Sequence, residues 1–455
     1  MADPDHLTAA TWCNPLPVPN LGAGEGRRLF GSLADPTVFR HGGRYYLYAS
    51  GCQAWVSEDL VHWEYRKVEL PVTVVGPSIV EHAGVFYLSG NGGIGMWRSA
   101  GPLGPWQRAG DLLDHQGRKV FWADLMFFVD DDGTFYCYHH PGSGVGADGI
   151  YVDVLDPESG FTRAKGPSIR CFGYVPAHTW ERWGAFHEHA DVAWIESPWM
   201  TKHGGRYHLQ YSACGTEWNG YAVGVYTAKK PAGPFVYDDR SPVLAATGGL
   251  LRGPGHHAVV ESPGGELRVL YHVLFRNAGK FDRRLALDRA GFDSRGRLVF
   301  HGPTETPQWV PRSGSRGDAG LVPVSVDKEM RASSSAPGRS AAYANDHNVR
   351  TWWRAARPGP AWLDVDLAAS FRVEAVRVIF ANDERAGASR TGYRFRVETS
   401  PDGAVWAKGT EHESHGDIAY GELPRGRARH VRLAIVSGPP GVSPGVVELT
   451  VFGRQ

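Results

Sequence analysis

A hairpin pattern occurs five times in the first two thirds of the chain. Residues 35–48 read DPTVFRHGGRYYLY: a polar start, an apolar strand, a tight glycine turn and a second apolar strand. The same order, with a polar or glycyl start, returns at spacings of roughly 40–70 residues in 76–88, 124–138, 196–211 and 253–271. A sheet unit repeated in this way closes into a ring, because closure protects the edges of its strands. The repeats therefore predict a five-bladed β-propeller over 25–312, after an N-terminal extension over 1–24.

Acidic residues stand at or beside the first position of three of these repeats. In a propeller the first strand of each blade lines the central channel, so Asp35, Asp124 and Glu196 are expected to converge at one mouth. Gly76 has the equivalent position in the second repeat, so the fold itself does not require a carboxylate there. A single Asp before Pro commonly caps a turn, but three carboxylates at one mouth indicate acid–base chemistry. Glycoside hydrolysis uses two carboxyl groups, and a third nearby raises the pKa of the acid.

The remainder of the chain predicts a second all-β domain. Residues 313–335 are rich in Ser, Gly, Pro and Arg and are expected to form a linker. From 336 to 455 apolar and polar residues alternate between turns, which is typical of an antiparallel β-sandwich. The abundance of Gly (58) and Pro (31) agrees with an all-β chain of short strands and many turns.

The charge balance favours a small partner that is neutral or locally acidic. Lys plus Arg and Asp plus Glu are equal at 48 each, which argues against a nucleic acid or a membrane as the main partner. The 16 Trp, 18 Tyr and 19 Phe suit a carbohydrate substrate, although core packing accounts for most of them. The oligomeric state stays open.

Cysteine usage and the first residues bear on the compartment. Five Cys without a CxxC pair argue against a disulfide framework or a zinc site. The start MADPDHLTAATW lacks the basic and apolar segments of a signal peptide. We therefore expect a cytoplasmic protein, or a secreted one if a leader has been removed.

Four motifs together resemble glycoside hydrolase family 43, whose members are five-bladed propellers. ADPTVFRHGGRYYLYAS (34–50) resembles the blade-one motif of the family, and ADLMFFVDDDGTFYCY (123–138) resembles its aspartate-DDDG motif. ESPWMTKHGGRYHLQYS (196–212) resembles the Glu-Gly-Pro-Trp motif, with Ser197 in place of the glycine. GPGHHAVV (253–260) resembles the Gly-Pro-Gly-His motif, whose histidine reaches the channel centre. One further departure is Leu125, where the family usually has proline.

The resemblance implies a role for each of these residues. It makes Asp35 the general base, Asp124 the modulator of the acid's pKa and Glu196 the general acid of an inverting hydrolysis. The base and acid carboxyl groups would then stand about 6.5–9.5 Å apart, leaving room for a water. No cofactor is implied for the chemistry. A structural Ca²⁺ stays open, either in the propeller channel with His256 beside it or in the sandwich.

His256 and three further residues are predicted to contact the substrate. Trp55 and Trp122 are expected to stack on the sugar, with packing between blades as the alternative. Arg283, or its neighbour Arg284, lies where the family often has an arginine near the substrate, and a surface pair is the alternative.

The C-terminal part resembles the discoidin (factor 5/8 type C) sandwich, which includes carbohydrate-binding modules. The segments that carry this resemblance are ANDHNVRTWW, WLDVDL, TSPDGAVW and HVRLAIV. Sugar binding by this module and simple support of the propeller both stay open.

The resemblance implies an exo-acting glycosidase for α-L-arabinofuranosides, β-D-xylosides or β-D-galactofuranosides. The alternatives are a related five-bladed glycosidase of another specificity, such as a galactan or anhydrogalactose type, and a sugar-binding propeller without catalysis. A fructosidase is disfavoured because Ala34 precedes Asp35, where that group has Asn. The intact set of acids argues against a propeller that only binds sugar.

Overall fold

The computed structural model describes residues 10–19, 32–51, 53–142, 149–275, 280–311, 317–381 and 392–455. Within these residues the chain is built almost wholly of β-strands, with short 3-10 turns at Pro157–Ser159, Thr179–Glu181 and Ala341–Ala344. None of the helices in the described residues has the length and apolar character needed to cross a membrane. The four described cysteines, Cys13, Cys137, Cys171 and Cys214, are free.

Five antiparallel sheets of consecutive strands form the blades, which confirms the predicted propeller. Blade one has Thr37–His41, Arg44–Ala49, Gln53–Ser57 and Glu64–Lys67, and blade two has Ser78–His82, Val85–Ser89, Met96–Ser99 and Gln107–Gly110. Blade three has Ala123–Val129, Phe135–His140, Gly149–Val154 and Ile169–Gly173. Blade four has Ile195–His203, Arg206–Ala213, Ala222–Ala228, Val236–Tyr237 and Leu244–Ala245. Blade five has Arg252–Glu261, Leu267–Leu274, Arg283–Phe292 and Leu298–His301.

The blades are hairpins because a glycine turn joins alternating strands whose apolar side chains meet between neighbouring sheets. In blade one the turn residues Gly42 and Gly43 have φ of 56° and 81°, which glycine adopts without steric cost. Tyr48 of blade one packs in one buried cluster with Ile79 and Phe86 of blade two. The aromatic and branched residues of the repeats therefore form the contacts between blades.

The N-terminal residues that are described are part of the propeller, which corrects the prediction of a separate extension over 1–24. Thr11–Trp12 pairs with Gln308–Trp309, and the Trp12 side chain is buried in the core beside blades one and five. The side chain of Asn14 exchanges hydrogen bonds of 2.9 Å with the backbone of Leu287 in blade five. These long-range partners fix the segment, and its own sequence gives no sign of them.

The C-terminal domain is an eight-stranded arrangement of Val322–Pro323, Glu329–Ala332, Trp353–Arg354, Ala361–Phe380, Arg394–Ser400, Ala407–Glu413, Ile418–Ser437 and Gly445–Arg454. The first half of Ala361–Phe380 pairs with Glu329–Ala332, and its second half pairs with Gly445–Arg454. This change of partner lets one long strand serve both layers around a shared core. The predicted linker, 313–335, thus contains two strands of the sandwich, because their partners lie far along the chain.

Buried polar contacts join the sandwich to the propeller. Arg284 of blade five is 1% exposed and bonds both Asp282 beside it and Asp417 of the sandwich. Arg377 of the sandwich, equally buried, donates to the carbonyl oxygen of Asn14 at 2.5 Å. Removing one partner from such a buried contact leaves a charged group without compensation. These contacts therefore fix the position of the sandwich against the propeller.

Candidate active site

One backbone feature recurs where the first strand of each blade meets the mouth of the channel. In each blade one residue has φ between 43° and 57°, and regular pairing starts or resumes two residues later. These residues are Asp35, Gly76, Asp124, Ser197 and His256. Non-glycine residues adopt this conformation at a steric cost and are found there chiefly at functional sites. The feature turns four functional side chains toward a common centre.

The recurrence distinguishes Glu196 from the two aspartates. Ser197 has the left-handed conformation in blade four, and Glu196 precedes it by one residue. The pairing of the first two strands of blade four is interrupted between Glu196 and Trp199. The side chains of Glu196 and Ser197 therefore do not follow the regular alternation of a strand. Blade four therefore contributes two adjacent side chains to the mouth.

Asp35 is buried among three donors. Ser50 donates to its Oδ2 at 2.5 Å, and the Arg283 guanidinium lies 3.3 Å from its Oδ1. His256 Nδ1 lies 3.2 Å from the same Oδ1. Burial alone would raise the pKa of this carboxyl, but Arg283 and His256 outweigh it and hold the pKa well below its usual range. Asp35 is therefore ionised near neutral pH.

Asp124 is contacted by side chains of blades two, four and five. Asn91 donates to its Oδ1 at 2.9 Å, and Ser197 donates to its Oδ2 at the same distance. His256 Nδ1 is 3.7 Å from its Oδ2. Because His256 also contacts Asp35, a single imidazole links the aspartates of blades one and three.

The surroundings of Glu196 raise its pKa, whereas those of Asp35 lower the pKa of that carboxyl. Tyr221 donates to its Oε1 at 2.7 Å and the Trp194 indole donates to its Oε2 at 2.5 Å. Burial and the nearby charge of Asp124 raise the pKa of Glu196 to about 8, against the opposing influence of Tyr221 and His256. Glu196 therefore carries a proton at neutral pH, whereas Asp35 does not. The structure brings together the three predicted acids in these distinct environments.

Three histidines set the remaining charge of the mouth. Burial lowers the pKa of His256, but Asp35 and Asp124 overcome it and raise the pKa to about 9. Burial lowers the pKa of His140 and, with Arg283, holds the pKa of His272 well below its usual range. One imidazolium thus stands among the carboxylates and two neutral imidazoles flank them.

Of the two predicted arginines, Arg283 lies at the site. Its Nη1 contacts Asp35 and also lies 3.2 Å from Thr216 Oγ1. Arg284 points the other way, because successive residues of a strand face opposite sides, and it serves the domain interface.

The prediction that Trp55 stacks on the sugar is wrong. Its ring is 0% exposed in the propeller core, and its indole nitrogen donates to Pro19 O at 2.7 Å. Trp122 is 7% exposed and one face is stacked on His139 at 4.3 Å between ring centroids. Little of the Trp122 ring is open to a sugar, so its role as a stacking surface stays a prediction.

Several residues of the site were missed in the sequence. Ser50, Asn91, Trp194 and Tyr221 hydrogen-bond to the three acids, and Ser50 also accepts from Gly76 N at 2.9 Å. Ser50 directly follows the second strand of blade one, and Asn91 lies two residues beyond the second strand of blade two, so their places in the repeat were the one available signal. Nothing in the local sequence distinguishes Tyr221.

A structural Ca²⁺ in the channel, which the resemblance leaves open, would not be held through His256 Nδ1. That atom faces Asp35 and Asp124, and the raised pKa keeps it protonated, so it has no lone pair for a cation. Ca²⁺ also prefers oxygen ligands. Donor atoms of Asp124, His140 and Glu196 lie within 4.8 Å of one another, but an ion there would require Glu196 to give up its proton. No step below depends on a metal.

A five-bladed propeller with an ionised aspartate and a protonated glutamate at one mouth has the equipment of a glycosidase, an enzyme that hydrolyses O-glycosidic bonds. The chain belongs to glycosyl hydrolases family 43, which it matches over residues 29–297. Residues 329–448 match the F5/8 type C domain. Both resemblances predicted from the motifs are thereby confirmed.

Similar proteins include two named glycosidases. A β-D-galactofuranosidase of Aspergillus niger is 29% identical over 308 residues, which is 59% of this chain and 82% of that protein. An extracellular exo-α-(1→5)-L-arabinofuranosidase of Streptomyces chartreusis is 24% identical over 278 residues, 53% of this chain and 79% of that protein.

Solved structures resemble both parts of the chain. A thermostable family-43 glycoside hydrolase is 28% identical with a TM-score of 0.55, covering 67% of this chain and 100% of that one. The structure of Bacteroides ovatus Xyloglucan PUL GH43B covers 98% of this chain and 99% of that one with a TM-score of 0.51. At 16% identity the latter shows the shared fold alone.

Proposed function

We propose that the protein is an inverting, exo-acting glycosidase for α-L-arabinofuranosides, β-D-xylosides or β-D-galactofuranosides. The observation that carries the proposal is that one buried mouth holds two carboxyl groups in unlike surroundings: Asp35 faces Arg283 and His256, whereas Glu196 accepts from Tyr221 and Trp194. The activities named for the Aspergillus and Streptomyces relatives support the two furanosides.

In the proposed mechanism each acid has one task. Glu196 gives its proton to the glycosidic oxygen as the bond to the leaving group breaks. Asp35 accepts a proton from the water that attacks the anomeric carbon from the other face, so the configuration inverts. Arg283 and His256 keep Asp35 ionised before the step, and Asp124 keeps Glu196 protonated by like-charge repulsion.

A substrate screen tests the proposal. We expect hydrolysis of at least one of nitrophenyl α-L-arabinofuranoside, β-D-xyloside and β-D-galactofuranoside. Proton NMR of the first product should show the anomer opposite to that of the substrate. Retention of configuration would contradict the assignment of Asp35 as a base, and inactivity on all three glycosides would overturn the proposed specificity.

Replacing Asp124 with asparagine is expected to shift the alkaline limit of activity to lower pH. The charge of Asp124 contributes to the raised pKa of Glu196, about 8, and Glu196 acts only in its protonated form. Removing that charge lowers the pKa of Glu196, so the acid loses its proton at lower pH. A profile of kcat/KM against pH measures the shift.

The matched control for this variant is Asp132→Asn in the same blade. Asp132 is exposed in the hairpin turn, where it accepts from Thr134 N at 2.9 Å. The control should keep the wild-type profile. An unchanged alkaline limit in Asp124→Asn would show that Asp124 does not set the protonation of Glu196.

A further inference from the structure

Three half-buried tryptophans lie together on the acid side of the mouth. Trp194 donates its indole N–H to Glu196, and its ring centroid is 5.9 Å from that of Trp183. Trp183 in turn meets Trp218 edge to face at 6.1 Å. All three rings are partly open to solvent, whereas Trp55 and Trp12 of the propeller core are closed off. The fold thus leaves an aromatic surface uncovered beside Glu196.

Two separate segments hold these indoles in place. Trp183 ends the first strand and Trp194 directly follows the second strand of the two-stranded sheet Arg182–Trp183 and His189–Ala193, which precedes blade four. Trp218 belongs to the loop 214–221 between the second and third strands of that blade. Gly215 in this loop has φ of 104°, and a Cβ there would lie 2.5 Å from the Trp183 ring. The absent side chain lets Trp183 lie directly on the loop that carries Trp218.

The same loop spans the distance between the base and the acid. Thr216 Oγ1 contacts Arg283 Nη1 at 3.2 Å and His272 Nε2 at 2.9 Å, on the side of Asp35. Tyr221 contacts Glu196 at the other end of the loop. Trp218 lies between these two anchors, so its ring is held at the side of the cleft rather than on a free loop.

The chemistry of the reaction indicates which part of the substrate would contact this aromatic surface. The acid must reach the oxygen of the bond that breaks, so the leaving group lies on the side of Glu196, away from Asp35 and its water. The ring faces of sugars are apolar C–H surfaces, and aromatic side chains are the common lining of sites that take such ligands. A leaving group that is itself a sugar would meet the three indoles.

We propose that Trp183, Trp194 and Trp218 form a subsite for the sugar that leaves, so that the substrate is a glycosyl unit joined to another sugar ring. This inference rests on the proposed function of the same site, because it requires Glu196 to be the acid. It goes further by assigning to the three indoles the binding of the leaving sugar. The enzyme should then prefer a disaccharide or oligosaccharide over a substrate with a minimal leaving group.

The test compares two substrates that carry the same cleaved sugar. The first is a disaccharide or short oligosaccharide, which fills the proposed subsite, and the second is the glycosyl fluoride, whose leaving group is a single atom. We expect Trp183→Ala and Trp218→Ala each to lower kcat/KM on the oligosaccharide roughly tenfold and to leave the fluoride within about twofold. Trp194 is not used, because its N–H holds Glu196.

A matched control and the failing outcomes complete the test. Trp309→Ala removes an indole that is 36% exposed on the strand paired with Thr11–Trp12, and both substrates should be unaffected. Equal losses on both substrates in Trp183→Ala and Trp218→Ala, or no loss on either, would overturn the subsite. If the wild-type protein hydrolyses neither substrate, the proposed function itself fails. Thermal unfolding of each variant shows whether the variant is still folded.

Discussion

Replacing Asp35 with asparagine is expected to lower kcat about 10³-fold on both an oligosaccharide and the corresponding glycosyl fluoride. General-base assistance contributes typically about 10²–10⁴-fold. Both substrates need an attacking water whose proton must go to Asp35, whatever group departs. A loss of about 10³-fold corresponds to about 4 kcal/mol of transition-state stabilisation. Rates under saturating substrate, measured by release of fluoride and of free sugar, give the two values.

The Asp35→Asn variant keeps the size of the side chain but removes the charge that faces Arg283 and His256. Its thermal unfolding should therefore be recorded beside that of the wild type. A folded variant with wild-type turnover on either substrate would contradict the role of Asp35. Loss on the oligosaccharide alone would indicate that Asp35 serves the leaving group rather than the water.

The number of blades could be predicted because a propeller repeats one local pattern. Each hairpin carries its own polar or glycyl start, glycine turn and apolar alternation, so the sequence contains five copies of the same information. The position of Glu196 relative to Ser197 was not predictable in this way. It depends on an interruption of strand register, and that interruption shows itself in the pairing of Ile195–His203 with Arg206–Ala213 rather than in a residue pattern.

The roles of the acids depend on neighbours from other blades, which no local motif contains. Asp35 is ionised because Arg283 and His256 of blade five face it, and Glu196 is protonated because burial and Asp124 of blade three act on it. The resemblance to family 43 supplied these residues by position. The difference between the pKa values of Asp35 and Glu196 arises from residues of other blades, which the folded propeller brings next to them.

The positions of the tryptophan side chains also could not be predicted from nearby motifs. Trp55 follows the first hairpin closely in sequence, yet its alternation on the strand turns it into the core. Trp183 and Trp218 are 35 residues apart, and they meet only because Gly215 leaves space for the Trp183 ring. Proximity to a motif in sequence is therefore a poor guide to which aromatic rings can reach a sugar.

Replacing Glu196 with glutamine is expected to separate the two substrates that the Asp35 variant affects alike. The amide keeps the shape of the side chain but has no proton to give. Cleavage of the oligosaccharide should fall about 10³-fold, because a sugar alkoxide leaves only with protonation. Fluoride departs without a full proton transfer, so the glycosyl fluoride should keep its rate within about tenfold.

The contrast between the two variants is sharper than either loss alone. A structural defect in Glu196→Gln, for instance from disturbed bonds to Tyr221 and Trp194, would lower both rates together. Selective loss on the oligosaccharide arises only if Glu196 acts on the leaving group. Because Asp35→Asn affects both substrates and Glu196→Gln only one, the pair of measurements assigns base and acid without reference to any relative.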